Sequence, residues 1–174
     1  MKILNILGYH GSAENSAYTA LQKLNCEIIS PQLDYDEENP IKILEFLKET
    51  TAKHKPDIVV GTSFGGFFAT LLCTEMHLPA ILINPSLMPF LILPELNYTR
   101  PVQPLIYLFG KLSELDSNMV SCIIGAEDEI ITNHTFTKKL LANSRFRVVP
   151  DGKHSGATLP LELYFKEVLS FYSR

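Results

Sequence analysis

The sequence predicts a single α/β domain built on a parallel sheet with helices on both faces. Short apolar runs alternate along the chain with longer amphipathic stretches, and the runs are apolar at consecutive positions. Strands that are apolar on both faces lie between two layers of helices, which is the arrangement of parallel sheets. No linker or repeat divides the 174 residues, and this length is enough for one core.

The elements follow from these patterns in chain order. The short apolar runs predict strands at 3–7, 26–30, 58–60, Ala80–Ile83, 119–124 and Arg145–Val149. The longer stretches predict helices at 40–53, Phe64–Met76, 132–142 and 159–172. The first of these helices has acidic residues ahead of it and lysines toward its end, which suits the helix dipole.

A segment at 85–118 interrupts the alternation of strands and helices, and we expect it to be a short, lid-like insertion between two strands. Its prolines exclude one long helix, so we expect short helical pieces joined by turns. Two uses are open for its apolar side chains, which either pack on the sheet or line a substrate pocket. These side chains are Met88, Phe90, Leu91, Ile92 and Leu93.

Composition and charge argue against several classes of protein. The formal net charge is -4 and no Lys/Arg cluster occurs, so we expect no nucleic-acid surface. The three cysteines form no C-x-x-C pair, and two of them lie in apolar runs, which is typical of a reducing compartment. The N-terminal apolar run is short for a signal peptide, and proline breaks the most apolar segment well below the ~20 residues of a membrane span. We therefore expect a cytoplasmic protein that does not insert into a membrane.

The stretch Gly61-Thr62-Ser63-Phe64-Gly65 matches G-x-S-x-G between a predicted strand and a predicted helix. A serine on such a sharp turn adopts a strained backbone, and its neighbours must be small for the turn to close. The positive end of the helix dipole then points at the site, and the Phe64 N–H can bind a developing oxyanion. No lysine follows the glycines as phosphate binding would require, which argues against a nucleotide site.

A serine hydroxyl needs a histidine to take its proton and an acid to orient that histidine. Reactive groups in this topology lie at the carboxyl ends of the strands, which leaves His10 and His154 as candidates. His134, near the start of a helix, is expected to be a surface side chain. The acid candidates are Glu127, Asp128 and Glu129, directly after the fifth strand.

The loop after the first strand, Gly8-Tyr9-His10-Gly11-Ser12, is expected to supply a second oxyanion donor. A His-Gly pair lets the backbone turn sharply and present an N–H, from Ser12 or Gly11. His10 is therefore assigned a structural or supporting role beside the substrate.

These motifs together resemble the α/β-hydrolase superfamily, and the size and spacing are similar to compact bacterial YqiA-like serine esterases. The resemblance rests on His10-Gly11, on the serine motif followed by Gly66, on Asn84-Pro85, on the run 125–128 and on His154-Ser155. It implies Ser63 as nucleophile, Asp128 as acid and His154 as base. It also implies a three-layer sandwich with a mostly parallel six-stranded sheet in the order 2-1-3-4-5-6.

The expected function is that of a serine hydrolase acting on carboxylic esters or thioesters of short to medium acyl chains. The backbone N–H groups of Ser12 and Phe64 would hold the oxyanion, and His10, Met88 and Phe90 are candidates for the substrate pocket. This chemistry needs neither a cofactor nor a metal, and the expected partner is a small-molecule acyl ester. A binding protein of the same fold without turnover and an acyltransferase are the alternatives.

Overall fold

Six strands form one sheet in the computed structural model of the protein, which describes residues 1–172. The strands are β1 Lys2–Ile6, β2 Glu27–Ile29, β3 Ile58–Thr62, β4 Ala80–Ile83, β5 Val120–Gly125 and β6 Arg145–Val149. Their order in the sheet is β2-β1-β3-β4-β5-β6, and every neighbouring pair is parallel. The predicted architecture and strand order are therefore confirmed.

Seven α-helices occur in the described part of the chain. They are α1 Ser16–Gln22, α2 Pro40–His54, α3 Phe64–Met76, α4 Pro89–Ile92, α5 Gln103–Phe109, α6 Thr135–Leu140 and α7 Leu161–Val168. Helix α1 is not predicted from the sequence, and its buried residues are Ala17, Ala20 and Leu21. Because two of these are small, the apolar stripe of α1 is weak and the sequence periodicity does not reveal it.

Two hydrophobic clusters cover the two faces of the sheet. The larger cluster joins one face to α2, α3 and the insertion, and includes Phe64, Phe67 and Leu105. The smaller joins the opposite face to α1 and α7, and includes Leu21 and Phe165. Adjacent strand residues thus enter different cores, which explains why the strands are apolar at consecutive positions.

The insertion consists of short helices, as its prolines predict. Helices α4 and α5 are linked by the 3₁₀ turn Leu93–Leu96, and further 3₁₀ turns, Gly110–Glu114 and Ser117–Met119, lead into β5. Leu93 is buried in the larger core, whereas Leu91 is 54% exposed. Within residues 1–172 no helix is both long and apolar enough to span a bilayer.

Candidate active site

Ser63 lies at the junction of β3 and α3 with a backbone that side chains rarely adopt. Its φ is 52° and its ψ is -120°. The turn is held in place because the Ser63 N–H donates to Ile83 O at 2.9 Å, and the N–H groups of Gly66 and Ser86 donate to Ser63 O. The cost of such a strained conformation is of order 1–3 kcal/mol, and it persists only where the surroundings impose it.

Close packing explains why glycines flank this serine. A Cβ on Gly65 would overlap the carbonyl oxygens of Ile6 and Leu7 at the end of β1, and a Cβ on Gly66 would lie 2.8 Å from Pro85 Cβ. The first turn of α3 is thereby pressed against β1 and against the start of the insertion. The side chain of Ser63 emerges at the carboxyl edge of the sheet, where the other candidate groups also lie.

Three side chains predicted from the sequence form one hydrogen-bonded chain at this edge. His154 Nε2 is 2.9 Å from Ser63 Oγ, and His154 Nδ1 is 2.9 Å from Asp128 Oδ1 and 3.0 Å from Oδ2. Because an ionised carboxylate only accepts hydrogen bonds, Nδ1 carries the proton and Nε2 accepts from the serine hydroxyl. The His154 side chain is 18% exposed and that of Asp128 only 1%.

The environment of Asp128 favours its ionised form. Burial alone would raise the pKa of Asp128, but hydrogen bonds from His134, from His154 and from the Ile131 N–H hold this pKa far below the usual range of a carboxyl group. The N–H groups of Ile130 and Ile131 both donate to Oδ1, at 3.0 and 2.8 Å. A carboxylate held in this way keeps its negative charge beside the imidazole.

The prediction that His134 is a surface side chain is wrong. Its side chain is 7% exposed, and its Nε2 lies 3.2 Å from Asp128 Oδ2. Helix α6 begins at Thr135 rather than at the predicted residue 132. The segment before the helix turns inward toward Asp128. Local periodicity could not show this, because His134 lies outside the helix.

The loop that carries His154 is held by two side chains from the segments that follow β4 and β5. The buried Asn84 donates from Nδ2 to the carbonyl oxygens of Lys153 and His154, both at 2.8 Å. Its Oδ1 accepts from the Gly125 N–H, also at 2.8 Å. Glu129, one of the three acid candidates, accepts from the His154 N–H at 3.0 Å. The position of the imidazole therefore depends on the ends of β4 and β5.

Gly8, at the end of β1, lies directly against the serine. A Cβ on Gly8 would be 3.1 Å from Ser63 Cβ and 3.8 Å from Ser63 Oγ. The peptide N–H that follows belongs to Tyr9, whereas Ser12 is exposed and its Oγ accepts from the Glu14 N–H. Within residues 1–172 no acceptor bonds to the Tyr9 N–H or the Phe64 N–H. Because Gly8 contacts Ser63, the Tyr9 N–H is a further candidate donor, and the role of Ser12 stays a prediction.

His10 belongs to this loop, and its hydrogen-bond partner lies outside the hydrogen-bonded chain of Ser63, His154 and Asp128. Its ring stacks on Tyr9 at 3.9 Å between centroids, and its Nε2 is 3.0 Å from Asp36 Oδ2. The Tyr9 hydroxyl donates to Asp36 Oδ1 at 2.7 Å, and burial together with this contact raises the pKa of Tyr9 to about 12. Tyr98 of the insertion packs edge-on against Tyr9, with centroids 5.9 Å apart. The loop 8–12 and the insertion are therefore in contact.

Met88 and Phe90, the predicted pocket residues, are half-buried at the start of the insertion. Phe90 packs edge-on against Phe109 at 5.2 Å, and Phe109 packs on Phe136 at 5.4 Å. A pocket role for either residue stays a prediction. In the described residues no group of three or more His, Cys, Asp or Glu side chains is arranged to hold a metal ion.

Comparison with known proteins assigns the chain to a family. The family model of UPF0227, an uncharacterised protein family, matches residues 4–108. The chain belongs to the UPF0227 family. The matched region contains Ser63, the loop 8–12 and much of the insertion, and it ends before Asp128 and His154. The resemblance to YqiA-like proteins is thus confirmed at the level of the family.

Solved structures match over nearly the whole UPF0227 chain. One is MGS-MChE2, an alpha/beta hydrolase enzyme from the metagenome of lagoon sediments at Mar Chica, Morocco, with a TM-score of 0.66, 16% identity and coverage of 99% of this chain and 90% of that one. Another is the ydeN gene product of B. subtilis, with a TM-score of 0.65, 16% identity and coverage of 98% and 97%. At these identities the likeness shows the fold, which is that of the α/β hydrolases.

Proposed function

We propose that this UPF0227 protein is a serine hydrolase that cleaves carboxylic esters or thioesters of short to medium acyl chains. The observation that carries the proposal is the hydrogen-bonded chain from Ser63 through His154 to Asp128. It begins at a serine whose backbone is strained and which stands at the N-terminus of a buried helix. Such an arrangement activates a hydroxyl that is otherwise a poor nucleophile.

In the first half of the reaction, Ser63 Oγ attacks the carbonyl carbon while its proton passes to His154 Nε2. The carbonyl oxygen becomes an oxyanion, and we assign the N–H groups of Phe64 and Tyr9 as its donors. The bond to the leaving oxygen or sulfur then breaks, and the leaving group takes the proton from His154. The product is an acyl-enzyme on Ser63 and a free alcohol or thiol.

In the second half, water attacks the acyl carbon and gives a proton to His154. The ester bond to Ser63 breaks, the carboxylic acid leaves, and the proton returns to Oγ. Asp128 holds the imidazole in the correct tautomer and stabilises its charge in both halves. Every group required is a side chain or peptide group of this chain.

Labelling with a fluorophosphonate, followed by mass spectrometry, tests the proposal. The Ser63 oxygen displaces fluoride from phosphorus, so we expect one adduct on Ser63, and we expect turnover of p-nitrophenyl butyrate. Ser63→Ala should show neither, while Ser113→Ala, which removes an exposed serine from the insertion, should behave as the wild type.

The opposite results would select the alternatives. A folded wild-type protein that is neither labelled nor active would favour a binding protein. Labelling together with faster acyl release to an added alcohol than to water would favour an acyltransferase.

A further inference from the structure

We propose that His134 is a positioning residue of the same site, which holds the Asp128 carboxylate in the orientation that His154 requires. The inference rests on the proposed function, since it assigns a role to a second histidine on the acid of that site. The chain of contacts runs from His134 Nε2 to Asp128 Oδ2 at 3.2 Å and from Asp128 to His154 Nδ1.

The two oxygens of Asp128 are held from different sides. Oδ1 accepts from the N–H groups of Ile130 and Ile131, which belong to the same loop. Apart from His154, the partner of Oδ2 in the described structure is His134. The backbone donors restrain the carboxylate at Oδ1, and the His134 donor restrains its plane from the side of Oδ2.

The hydrogen-bond partners of His134 define its tautomer. Nε2 faces a carboxylate, which can only accept, so Nε2 must carry a proton. Nδ1 is buried and has no hydrogen-bond partner in residues 1–172, so a proton there would be unsatisfied. A neutral ring that donates from Nε2 fits both facts. His134 thus acts as a directed donor rather than as a second base.

In the described residues, the other charged side chains near Asp128 do not bond to its carboxylate. Glu129 is exposed and accepts from the His154 N–H, and Glu127 is also exposed. Lys138, one turn along α6, is exposed and contacts His134 through its backbone N–H. In the described structure, the side chains bonded to the Asp128 carboxylate are those of His134 and His154.

The test compares His134→Leu and His134→Gln by the rate of fluorophosphonate labelling of Ser63. We expect His134→Leu to lower this rate about ten- to a hundredfold, since a small misplacement of a catalytic group has effects of that size. Because the glutamine amide can donate at the same place, we expect His134→Gln to restore most of the rate. Asn133→Ala is the matched control, because Asn133 caps α6 through the Thr135 N–H and is exposed.

A double-mutant cycle separates positioning from packing. In an Asp128→Asn background, His134→Leu should change the labelling rate less than twofold, because its route through the carboxylate is gone. An equal loss in both backgrounds, no rescue by glutamine, or an equal loss in Asn133→Ala would overturn the proposal.

A measurement without turnover keeps this inference distinct from the proposed function. The ¹⁵N signals of the His154 imidazole should shift in His134→Leu and stay unchanged in Asn133→Ala, even if the wild type proves unreactive. An unreactive wild type would defeat the proposed hydrolase, whereas unshifted His154 signals in His134→Leu would defeat the role of His134.

Discussion

At the scale of single residues, Ser63 combines backbone strain with a hydroxyl that is hydrogen-bonded to His154. Its φ of 52° belongs to the region that glycine adopts without cost. We expect both Ser63→Ala and Ser63→Gly to lose up to ~10⁶ in kcat toward p-nitrophenyl butyrate, because both remove the nucleophile. Since only glycine relieves the strain, Ser63→Gly should be about 1 kcal/mol more stable than Ser63→Ala in urea unfolding. Equal stability would mean that the surroundings tolerate a side chain here, and retained turnover would refute the role of Ser63.

Asp128 links activity to the pH dependence of stability. Its pKa is lowered in the folded protein, so its contribution to stability is present above the ordinary carboxyl pKa of about 3.9 and is lost as the pH falls below it. The difference in unfolding free energy between wild type and Asp128→Asn should therefore be largest near neutral pH and shrink at about pH 4 and below. Turnover of Asp128→Asn should fall on the order of 10⁴. A stability difference that stays constant down to pH 3 would contradict this account, and so would an equal loss of turnover in Glu127→Gln.

At the scale of elements, Asn84 joins the end of β4 to the end of β5 and to the His154 loop. Asn84→Ala removes three hydrogen bonds and leaves the buried Gly125 N–H unsatisfied, which costs about 1–3 kcal/mol. We expect kcat to fall about a hundredfold because the imidazole is no longer held in place.

Asn25→Ala is the control for Asn84→Ala. Both asparagines have a positive φ, which is 55° at Asn25, but Asn25 is exposed. Asn25→Ala should change stability by backbone strain alone and leave kcat unchanged. A similar loss of kcat in both variants would remove the special role of Asn84.

The insertion is the element that would select the acyl chain. If Phe90 and Met88 line a pocket, kcat/KM should rise from acetyl to butyryl to hexanoyl esters, by about fourfold per methylene, from ~0.8 kcal/mol each. Phe90→Ala should flatten this trend, while Leu91→Ala, at the adjacent exposed position, should not. A preference for acetyl esters that neither variant changes would leave the insertion as structure only.

At the scale of the whole molecule, the close contact between β1 and α3 brings the loop 8–12 to the serine. Gly65→Ala would drive a Cβ into the backbone of Ile6 and Leu7, so we expect a loss of at least about 1–3 kcal/mol in unfolding free energy. A Cβ at Gly110 would meet nothing within 4 Å, and Gly110 has helical backbone. Gly110→Ala should therefore stabilise the protein by about 0.4–1 kcal/mol. Urea unfolding of the two variants checks both signs, and a neutral Gly65→Ala would show that α3 can move away from β1.

The sequence by itself determined the fold class and the candidate groups at the carboxyl edge of the sheet, and through the family resemblance it determined the strand order and the choice of Asp128 among the acids. This was possible because strands and helices have distinct periodicities, and because parallel strands bring their ends together wherever the chain runs. Helix α3 and the strands β4 and β6 were predicted at their observed bounds for this reason.

Only the tertiary structure decided what surrounds Ser63, His154 and Asp128. Asn84 and His154 are 70 residues apart in the chain, and the approach of Gly8 to Ser63 depends on how β1 packs against α3. Nor does any periodic pattern reveal that His134, just before a helix, turns inward to Asp128. Such contacts depend on side-chain directions and on distances between elements, which a local pattern of apolar and polar residues does not encode.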